Sequence, residues 1–205
     1  MNYKCLELAK RIQALAQNGL TYTEGEFDRE RYEELRSISV ELMHEFSHAE
    51  IPLIKELFAN QTGYQTPMVD VRAVVFKDRK ILMVKEKIDG CWALPGGWAD
   101  VGYTPSEVAV KEVKEEAGLE VKAERVLAIL DKKCHPHPPQ PFYVYKIFIL
   151  CEIIGGESTT GIETLDVDFF SLEDLPELSK DRNIQSQIEL MFDFLHSPDK
   201  RVVID

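Results

Sequence analysis

Two different patterns of apolar and polar positions divide the chain near Pro67. Before this residue, apolar side chains recur at helical spacing, which indicates helices that bury one face. The pattern predicts three helical segments, around Cys5–Ala16, Tyr32–Phe46 and Ile51–Phe58. Asn18 and Gly19 are predicted to end the first helix, and Asp28 to begin the second. Residues 1–66 are therefore predicted to be a helical N-terminal domain.

After Pro67 the apolar residues form shorter runs of the kind found in β-strands. The predicted strands are Val69–Phe76, Lys80–Val84, Val121–Leu130, Phe142–Ile154 and Val167–Ser171. Two further segments, Pro105–Ala117 and Ile184–His196, have helical patterns. Strands and helices are mixed but do not alternate regularly, so residues 67–205 are predicted to form an α/β (α+β) sandwich rather than a doubly wound fold.

The helix Pro105–Ala117 has clear signals at both ends. Thr104 and Glu107 have the spacing of a capping box, with a proline at the first helical position. Gly118 stands where a left-handed residue commonly ends a helix. At about 100° per residue, this helix places Glu112, Glu115 and Glu116 close together, beside its apolar face.

Two interpretations of these carboxylates are open. A solvated acidic face is common, and Lys111 has the spacing to pair with Glu115. Clustered carboxylates also repel one another unless a cation lies among them, and Mg²⁺ or Mn²⁺ prefers such oxygen ligands. The preceding glycines Gly96 and Gly97 allow backbone carbonyls to approach the same cation.

The stretch from Gly97 onward resembles the Nudix box, whose pattern is G, five residues, E, seven residues, then R-E-U-x-E-E-x-G-U with U a bulky aliphatic residue. The matching positions are Gly97, Glu112, Val113, Glu115, Glu116, Gly118 and Leu119. The stretches GGWADVGY and ETLDVDFFSLEDLPELS are similar to a bacterial subgroup that has a helical N-terminal extension and hydrolyses ADP-ribose or CDP-choline. The resemblance implies a Nudix-type α/β/α sandwich with a mixed sheet.

The resemblance also implies an activity, the metal-dependent hydrolysis of a nucleoside diphosphate linked to another group, with release of a nucleoside monophosphate. Its implied ligands for Mg²⁺ or Mn²⁺ are Glu112, Glu115 and Glu116, joined by a carbonyl of Gly96 or Gly97. Glu115 and Glu116 are then expected to act in catalysis. The water is activated either by Glu115 or, as in several relatives, by a glutamate outside the box, for which Glu163 is the best-placed residue.

Two positions depart from the family pattern. Tyr103 stands where the family usually has glutamate, and Lys111 where it has arginine. Lysine keeps the positive charge but lacks the planar fork of arginine. Either the two residues were replaced together, with the tyrosine hydroxyl as a new hydrogen-bond partner, or the site is weakened. Because the three carboxylates are intact, we expect an active enzyme.

Five residues are candidates for substrate binding, namely Arg72, Trp98, His135, His137 and Tyr143. Trp98 is either a platform for a base or a wedge beneath the glycine turn. Arg72 lies in an apolar strand, where it either reaches a phosphate or is half-exposed and ion-paired. The other three border a proline-rich loop, which the resemblance places near the substrate. Zinc is not expected there, because Cys134 and the two histidines lack a fourth ligand.

The amino-acid composition limits the kinds of substrate and cellular location that are expected. The 205 residues carry a net charge of −12, which disfavours a long nucleic-acid substrate and is compatible with the small, metal-bound nucleotide that the resemblance implies. No apolar run approaches the ~20 residues of a membrane span, and neither a signal peptide nor a C-x-x-C pair is evident, so we expect a cytoplasmic protein. Hydrolysis of RNA ends or damaged nucleotides, and ligand binding without catalysis, are the alternative functions.

The N-terminal helices bear apolar stripes that so small a region cannot bury by itself. They cover either the following domain or a second copy of themselves. Twofold dimers are the commonest assembly, and the resemblance implies dimers that complete the substrate pocket. We therefore expect a homodimer formed through the N-terminal helices; an intramolecular cap on a monomer is the alternative.

Overall fold

The computed structural model describes residues 3–205, which divide into two compact units. The first unit contains the described residues up to Pro67 together with Pro139–Tyr143, and the second contains Met68–Pro138 and Val144–Asp205. Residues 1 and 2, which the predicted N-terminal domain includes, lie outside the described residues. None of the helices within 3–205 is both long and apolar enough to cross a membrane.

The first unit consists of three helices, α1 (Tyr3–Tyr22), α2 (Glu26–Ser47) and α3 (Ile51–Phe58). The prediction that the first helix ends at Asn18 and Gly19 is wrong, because α1 continues to Tyr22. Gly19 instead allows close packing, since a Cβ there would lie 2.3 Å from Cε1 of Tyr32. The cap predicted at Asp28 is also wrong: α2 begins after Gly25, and Asp28 lies in its first turn, paired with Arg31.

The core of the first unit joins all three helices through buried apolar side chains, namely Leu6, Ala9, Val40, Met43, Ile54 and Phe58. Several other apolar side chains of these helices are exposed, namely Leu8, Leu15, Tyr22, Phe27, Leu35, Ile38, Leu53 and Leu57. The loop Pro139–Tyr143 also belongs to this unit, where Lys10 Nζ lies 4.4 Å from the ring centroid of Tyr143. The helical stripes are therefore only partly buried within the unit.

The second unit contains one mixed sheet. Its strands are β1 (Met68–Lys77), β2 (Lys80–Glu86), β3 (Trp92–Ala93), β4 (Gly96–Trp98), β5 (Leu119–Asp131), β6 (Val144–Gly156), β7 (Thr164–Phe170) and β8 (Val203–Ile204). The order is β3-β2-β1-β6-β5-β8, with β4 paired to β1 and β7 to β2. The pairs β1–β6 and β5–β8 are parallel and the others are antiparallel.

Two helices, α4 (Pro105–Ala117) and α5 (Gln185–His196), cover the sheet, and 3₁₀ turns occupy Lys132–Cys134 and Leu172–Asp174. Alternate residues of β1 show how the layers form. Val71 and Ala73 pack with the apolar side chains of α4, whereas Val74 packs with those of α5. The predicted α/β/α sandwich with a mixed sheet is thereby confirmed.

The five predicted strands and both helices of this region are present, with ends that differ by a few residues. Three short strands, β3, β4 and β8, were not predicted, because two or three residues are too few to show an alternating pattern. The most consequential of them is β4, since the sequence indicated only a turn at Gly96 and Gly97. This turn segment is in fact paired to the central strand β1.

Candidate active site at the junction of β4 and α4

Helix α4 has the ends that the sequence predicts. The hydroxyl of Thr104 accepts a hydrogen bond from the N–H of Glu107, and the Glu107 carboxylate accepts one from the N–H of Thr104, so both halves of the capping box are present. Gly118 ends the helix in the left-handed conformation, with φ 71°. Val113 and its apolar neighbours pack into the sheet, which leaves the three glutamates along the edge of the helix.

Strand β4 brings two glycines against β1 and the glutamates of α4. Gly96 pairs with Arg72 and has φ 147°; a Cβ there would lie 2.1 Å from the carbonyl oxygen of Val71. Its N–H donates to Oε2 of Glu116 over 2.9 Å. A Cβ on Gly97 would lie 3.3 Å from Oε1 of Glu112. Glycine at position 96 therefore allows the close approach of β4 to β1, and glycine at position 97 leaves room for the Glu112 carboxylate.

The carboxyl groups near β4 are held where their negative charges are disfavoured. The pKa of Glu116 is raised to about 8, chiefly by burial and also by the charges of Glu86 and Glu112, while the Gly96 N–H and Arg72 act to lower it. Burial also raises the pKa of Glu112. A bound cation would relieve this combination of burial and mutual repulsion.

Glu115 lies apart from this pair. Its carboxylate is exposed, and Oε2 lies 3.1 Å from Nζ of Lys111, which is also 4.0 Å from Oε1 of Glu112. The same Nζ lies 5.9 Å from the ring centroid of Tyr103. The two residues that depart from the family pattern are thus neighbours, and the ammonium group faces the aromatic ring.

The glutamates provide suitable oxygen donors for a divalent cation, although they do not converge. Among residues 3–205, no three acidic, histidine or cysteine side chains are arranged so that they could hold a metal ion. Glu112 and Glu116 lie beside the glycine backbone, whereas Glu115 is paired with Lys111. The carboxylate oxygens of Glu112 and Glu116 are donors of the kind that a hard cation prefers.

The loop before β7 brings Glu163 into the electrostatic environment of these groups. A Cβ on Gly161 would lie 1.9 Å from the carbonyl oxygen of Glu115, and the Thr164 hydroxyl donates to the carbonyl of Glu116 over 2.9 Å. The loop is therefore packed against the end of α4. The charge of Glu163 contributes to raising the pKa of Glu112 and of Glu86.

Trp98 directly follows Gly97, and 45% of its surface is exposed. A wedge buried beneath the glycine segment is therefore wrong, whereas the exposed ring leaves a stacking role open. Tyr143 belongs to the first unit and contacts α1 there. Its role at a substrate stays a prediction.

The two histidines have protein partners. Nε2 of His135 lies 2.9 Å from Oδ2 of Asp205. Nδ1 of His137 lies 2.7 Å from the carbonyl oxygen of Lys180, and its Nε2 lies 3.0 Å from Nε2 of Gln187. Substrate contacts by either histidine stay predictions.

Arg72 is only 3% exposed, so the alternative of a half-exposed arginine is wrong. Its Nε and Nη2 donate to the two carboxylate oxygens of Asp70 over 2.7 and 3.0 Å, and Nη1 donates to the carbonyl of Leu94 over 3.1 Å. Nζ of Lys146 lies 3.0 Å from Oδ2 of Asp70. Contact between Arg72 and a phosphate stays a prediction.

Sequence reasoning missed Asp70, Lys146 and the ion pair between Glu86 and Arg182, whose Oε1 and Nε lie 2.7 Å apart. A usable signal was present for the first two. Asp70 and Lys146 are charged residues inside strands that are mostly apolar, where a charge is rarely buried unless it is paired. Glu86 gave no such signal, because it stands at the polar end of β2.

Two family profiles match different parts of the chain. The profile of the NUDIX domain matches residues 66–192, and a profile described as "UDP-X-like, N-terminal oligomerisation domain" matches residues 3–58. A Bacillus subtilis (strain 168) protein named "Putative ADP-ribose pyrophosphatase" is 48% identical over 202 residues, which span 98% of this chain and 97% of that protein.

Two solved structures extend the comparison. An ADP-ribose pyrophosphatase from Streptococcus suis has a TM-score of 0.62 and 46% identity, over 68% of this chain and 100% of that chain. A UDP-X diphosphatase has a TM-score of 0.65 and 34% identity, over 99% of this chain and 98% of that chain. With the glycine strand and glutamate helix in place, these matches establish that the chain belongs to the Nudix family, as a Nudix hydrolase with a helical N-terminal segment.

Proposed function

We propose that this Nudix hydrolase cleaves the pyrophosphate bond of a nucleoside diphosphate linked to another group, with the help of Mg²⁺ or Mn²⁺, and releases a nucleoside monophosphate. The observation that carries the proposal is the meeting of Glu116 with the N–H of Gly96, with Glu112 beside Gly97. ADP-ribose is the first substrate to test, because relatives that match most of the chain are named for it. UDP-linked and CDP-choline-type compounds are the next.

The metal would be held by carboxylates of Glu112, Glu115 and Glu116 and by a carbonyl of Gly96 or Gly97. When bound, such an ion neutralises charge on the phosphate oxygens and makes the phosphorus easier to attack. This role also explains how a chain of net charge −12 can bind an anionic substrate. Glu115 is the ligand that must change partners, since it begins in an ion pair with Lys111.

The side chains of the chain itself position the substrate and accept a proton. As water attacks one phosphorus and the P–O bond to the other phosphate breaks, a carboxylate takes the proton that the water loses. Glu115 and Glu163 are the two proposed acceptors. The exposed ring of Trp98 provides a face on which a base can stack next to the glycine strand.

A panel of compounds tests the function. The chain is incubated with Mg²⁺ or Mn²⁺ and ADP-ribose, CDP-choline, a UDP-linked sugar, 8-oxo-dGTP or a triphosphate-ended RNA, and products are resolved by phosphorus NMR. The proposal expects a nucleoside monophosphate and a phosphorylated partner from at least one of the first three. Cleavage of only the last two would contradict it and support the alternative substrates, and no turnover of any compound would support a binding function.

A comparison of Glu115→Gln with Glu163→Gln identifies which of the two residues accepts the proton. Loss of the acceptor should remove the acidic limb of the pH–rate profile, whereas loss of a metal ligand should raise the metal concentration needed for half-maximal rate. If Glu163→Gln leaves both the rate and the profile unchanged, Glu163 has no part in the reaction. Glu115 is then the remaining proposed acceptor.

We also propose that the chain forms a homodimer through its N-terminal helices. The matching profile over residues 3–58 is described as an oligomerisation domain. The exposed apolar side chains of α1, α2 and α3 supply the kind of surface that a second copy could bury.

A further inference from the structure

Asp70, Arg72 and Lys146 form a buried charged cluster within the second unit. The parallel register of β1 and β6 places Asp70 beside Lys146, whose side chain is 0% exposed. The carboxylate of Asp70 receives two hydrogen bonds from Arg72 and contacts Lys146 Nζ at 3.0 Å. One carboxylate therefore holds two cations, on a strand that lies at the centre of the sheet.

Burying this cluster in the sheet costs free energy that apolar side chains would not cost. Burying three ionisable groups carries a large desolvation cost, and apolar side chains of similar volume often stabilise a core equally well or better. Burial lowers the pKa of Lys146 to about 7 even though Asp70 acts in the opposite direction. A contribution to stability alone therefore does not explain why these charged residues are present, and the contacts of Arg72 indicate another role.

Arg72 connects the cluster to the backbone that leads into β4. Its Nη1 donates to the carbonyl oxygen of Leu94 over 3.1 Å, while the N–H of Leu94 donates to Oδ1 of Asn183 over 2.9 Å. The next residue, Pro95, accepts from the N–H of Ala73 over 2.8 Å. Gly96 follows, and its N–H meets Glu116. The arginine thus holds the chain two residues before the glycine that contacts a proposed metal ligand.

We propose that Arg72, oriented by Asp70 and Lys146, is a positioning residue that sets the segment Leu94–Gly97 so that the Gly96 N–H meets the Glu116 carboxyl. It acts through the backbone of Leu94 and not by contact with the substrate phosphate. The inference rests on the proposed function, because it concerns the same pair of residues. A planar fork is required, since three of its nitrogens bind oxygens on two different residues.

The decisive variant replaces the whole cluster with apolar residues, Asp70→Leu with Arg72→Met and Lys146→Met, so that no member of the cluster is left without its partners. A cluster that serves only stability would tolerate this change, with turnover preserved. The positioning role instead predicts a folded protein in which kcat falls at least ~10-fold while KM stays within about twofold. Hydrogen exchange at the Gly96 amide, followed by NMR, should also accelerate at least ~10-fold.

A folded triple variant with unchanged kcat and unchanged Gly96 exchange would overturn the proposal. If the triple variant does not fold, Arg72→Lys decides, since it keeps the charge beside Asp70 but cannot bind Asp70 and Leu94 together. The same fall in kcat with faster Gly96 exchange is expected from it. A rise in KM alone, with Gly96 exchange unchanged, would assign Arg72 to phosphate binding and reject the positioning role.

The exchange measurement needs no substrate, so the two proposals can fail separately. If the unmodified chain hydrolyses none of the panel compounds, the proposed function fails, while Gly96 exchange still reports on whether Arg72 holds the segment. Lys122→Gln is a matched control, because Lys122 lies in an exposed ion pair with Glu124 on β5. It should leave turnover, stability and Gly96 exchange unchanged.

Discussion

The backbone N–H of Gly96 and the carboxyl oxygen Oε2 of Glu116 lie 2.9 Å apart, in a buried hydrogen bond that joins β4 to α4. The pKa of this carboxyl group is raised to about 8, chiefly by burial. Glutamine matches this side chain in shape and keeps an oxygen that can accept from the Gly96 N–H, but it cannot carry a negative charge. This equivalence makes the position suitable for separating a role in folding from a role in the reaction.

Glu116→Gln should lower turnover by at least ~100-fold at saturating Mg²⁺, on the order of losing a principal electrostatic group. The melting temperature without metal should stay close to that of the unmodified chain, because the amide oxygen can still accept from Gly96. Addition of Mg²⁺ should stabilise the unmodified chain more than the variant. Glu120→Gln, which changes an exposed carboxylate just beyond the helix, is the control; near-normal turnover in Glu116→Gln would remove this helix from catalysis.

Tyr103 and Lys111 should prove coupled. Lys111 Nζ faces the ring of Tyr103 and the carboxylate of Glu115, so Lys111→Arg and Tyr103→Glu each alter one partner of a shared arrangement. We expect the double variant to lose less activity than the two single variants together, with a coupling free energy of roughly 0.5 kcal/mol or more. Turnover and thermal unfolding of the four proteins measure it, and additive effects would show that the two departures arose independently.

His137 should make the protein less stable in mild acid. The Lys180 carbonyl can only accept, so Nδ1 carries the proton and Nε2 accepts from the Gln187 amide, which requires the neutral ring. Burial lowers the pKa of His137 to about 4, and Lys132, Lys146 and His135 also disfavour its charge. The stabilisation is complete above pH 6.5, the ordinary pKa of the unfolded chain, and declines as the pH falls toward 4.

His137→Gln tests this by removing the titrating group. Urea unfolding between pH 7 and pH 4.5 should show a loss of unfolding free energy that is smaller in the variant by roughly 1–3 kcal/mol. The comparison uses the change with pH in each protein, so any constant loss from the substitution cancels. Identical pH dependence in the two proteins would mean that the histidine is not held neutral.

The homodimer is tested by sedimentation at micromolar concentration. The full chain should behave as a dimer and a truncated chain beginning at Gln65 as a monomer. Leu15→Glu, which changes a side chain 66% exposed on α1, should weaken association at least ~10-fold if the exposed stripe is buried by a partner. Ile154→Glu, at a side chain 65% exposed on β6, is the matched control; equal effects, or a monomeric full chain, would contradict the proposal.

Local chemistry made α4 predictable. The ends of this helix are set by hydrogen bonds between residues close in sequence, at Thr104, Glu107 and Gly118. Their pattern can therefore be recognised without knowledge of the rest of the fold. The spacing of the glutamates likewise follows from helical geometry alone. The family pattern then supplied the link between Gly97 and this helix, which spacing cannot supply.

Contacts between residues distant in sequence explain why the helix end at Gly19 was wrongly predicted and the charged cluster was missed. Gly19 has the sequence of a helix end, but Tyr32 from the next helix occupies the space that a side chain would need. Lys146 is distant in sequence from Asp70 and Arg72, and only the parallel pairing of β1 with β6 brings it to Asp70. The pairing of Glu115 with Lys111 shows the converse case, since this local contact was predicted from spacing and is present.

The parallel pairing of β1 with β6 also has a consequence for protein synthesis. Strand β1 can pair with β2 and β4 soon after they leave the ribosome, but its other edge has no partner until residues 144–151 have been made. Such distant contacts form slowly, and an unpaired apolar edge invites association between nascent chains. We therefore expect that slowing translation across residues 77–144 lowers the yield of folded protein more than slowing it after residue 156.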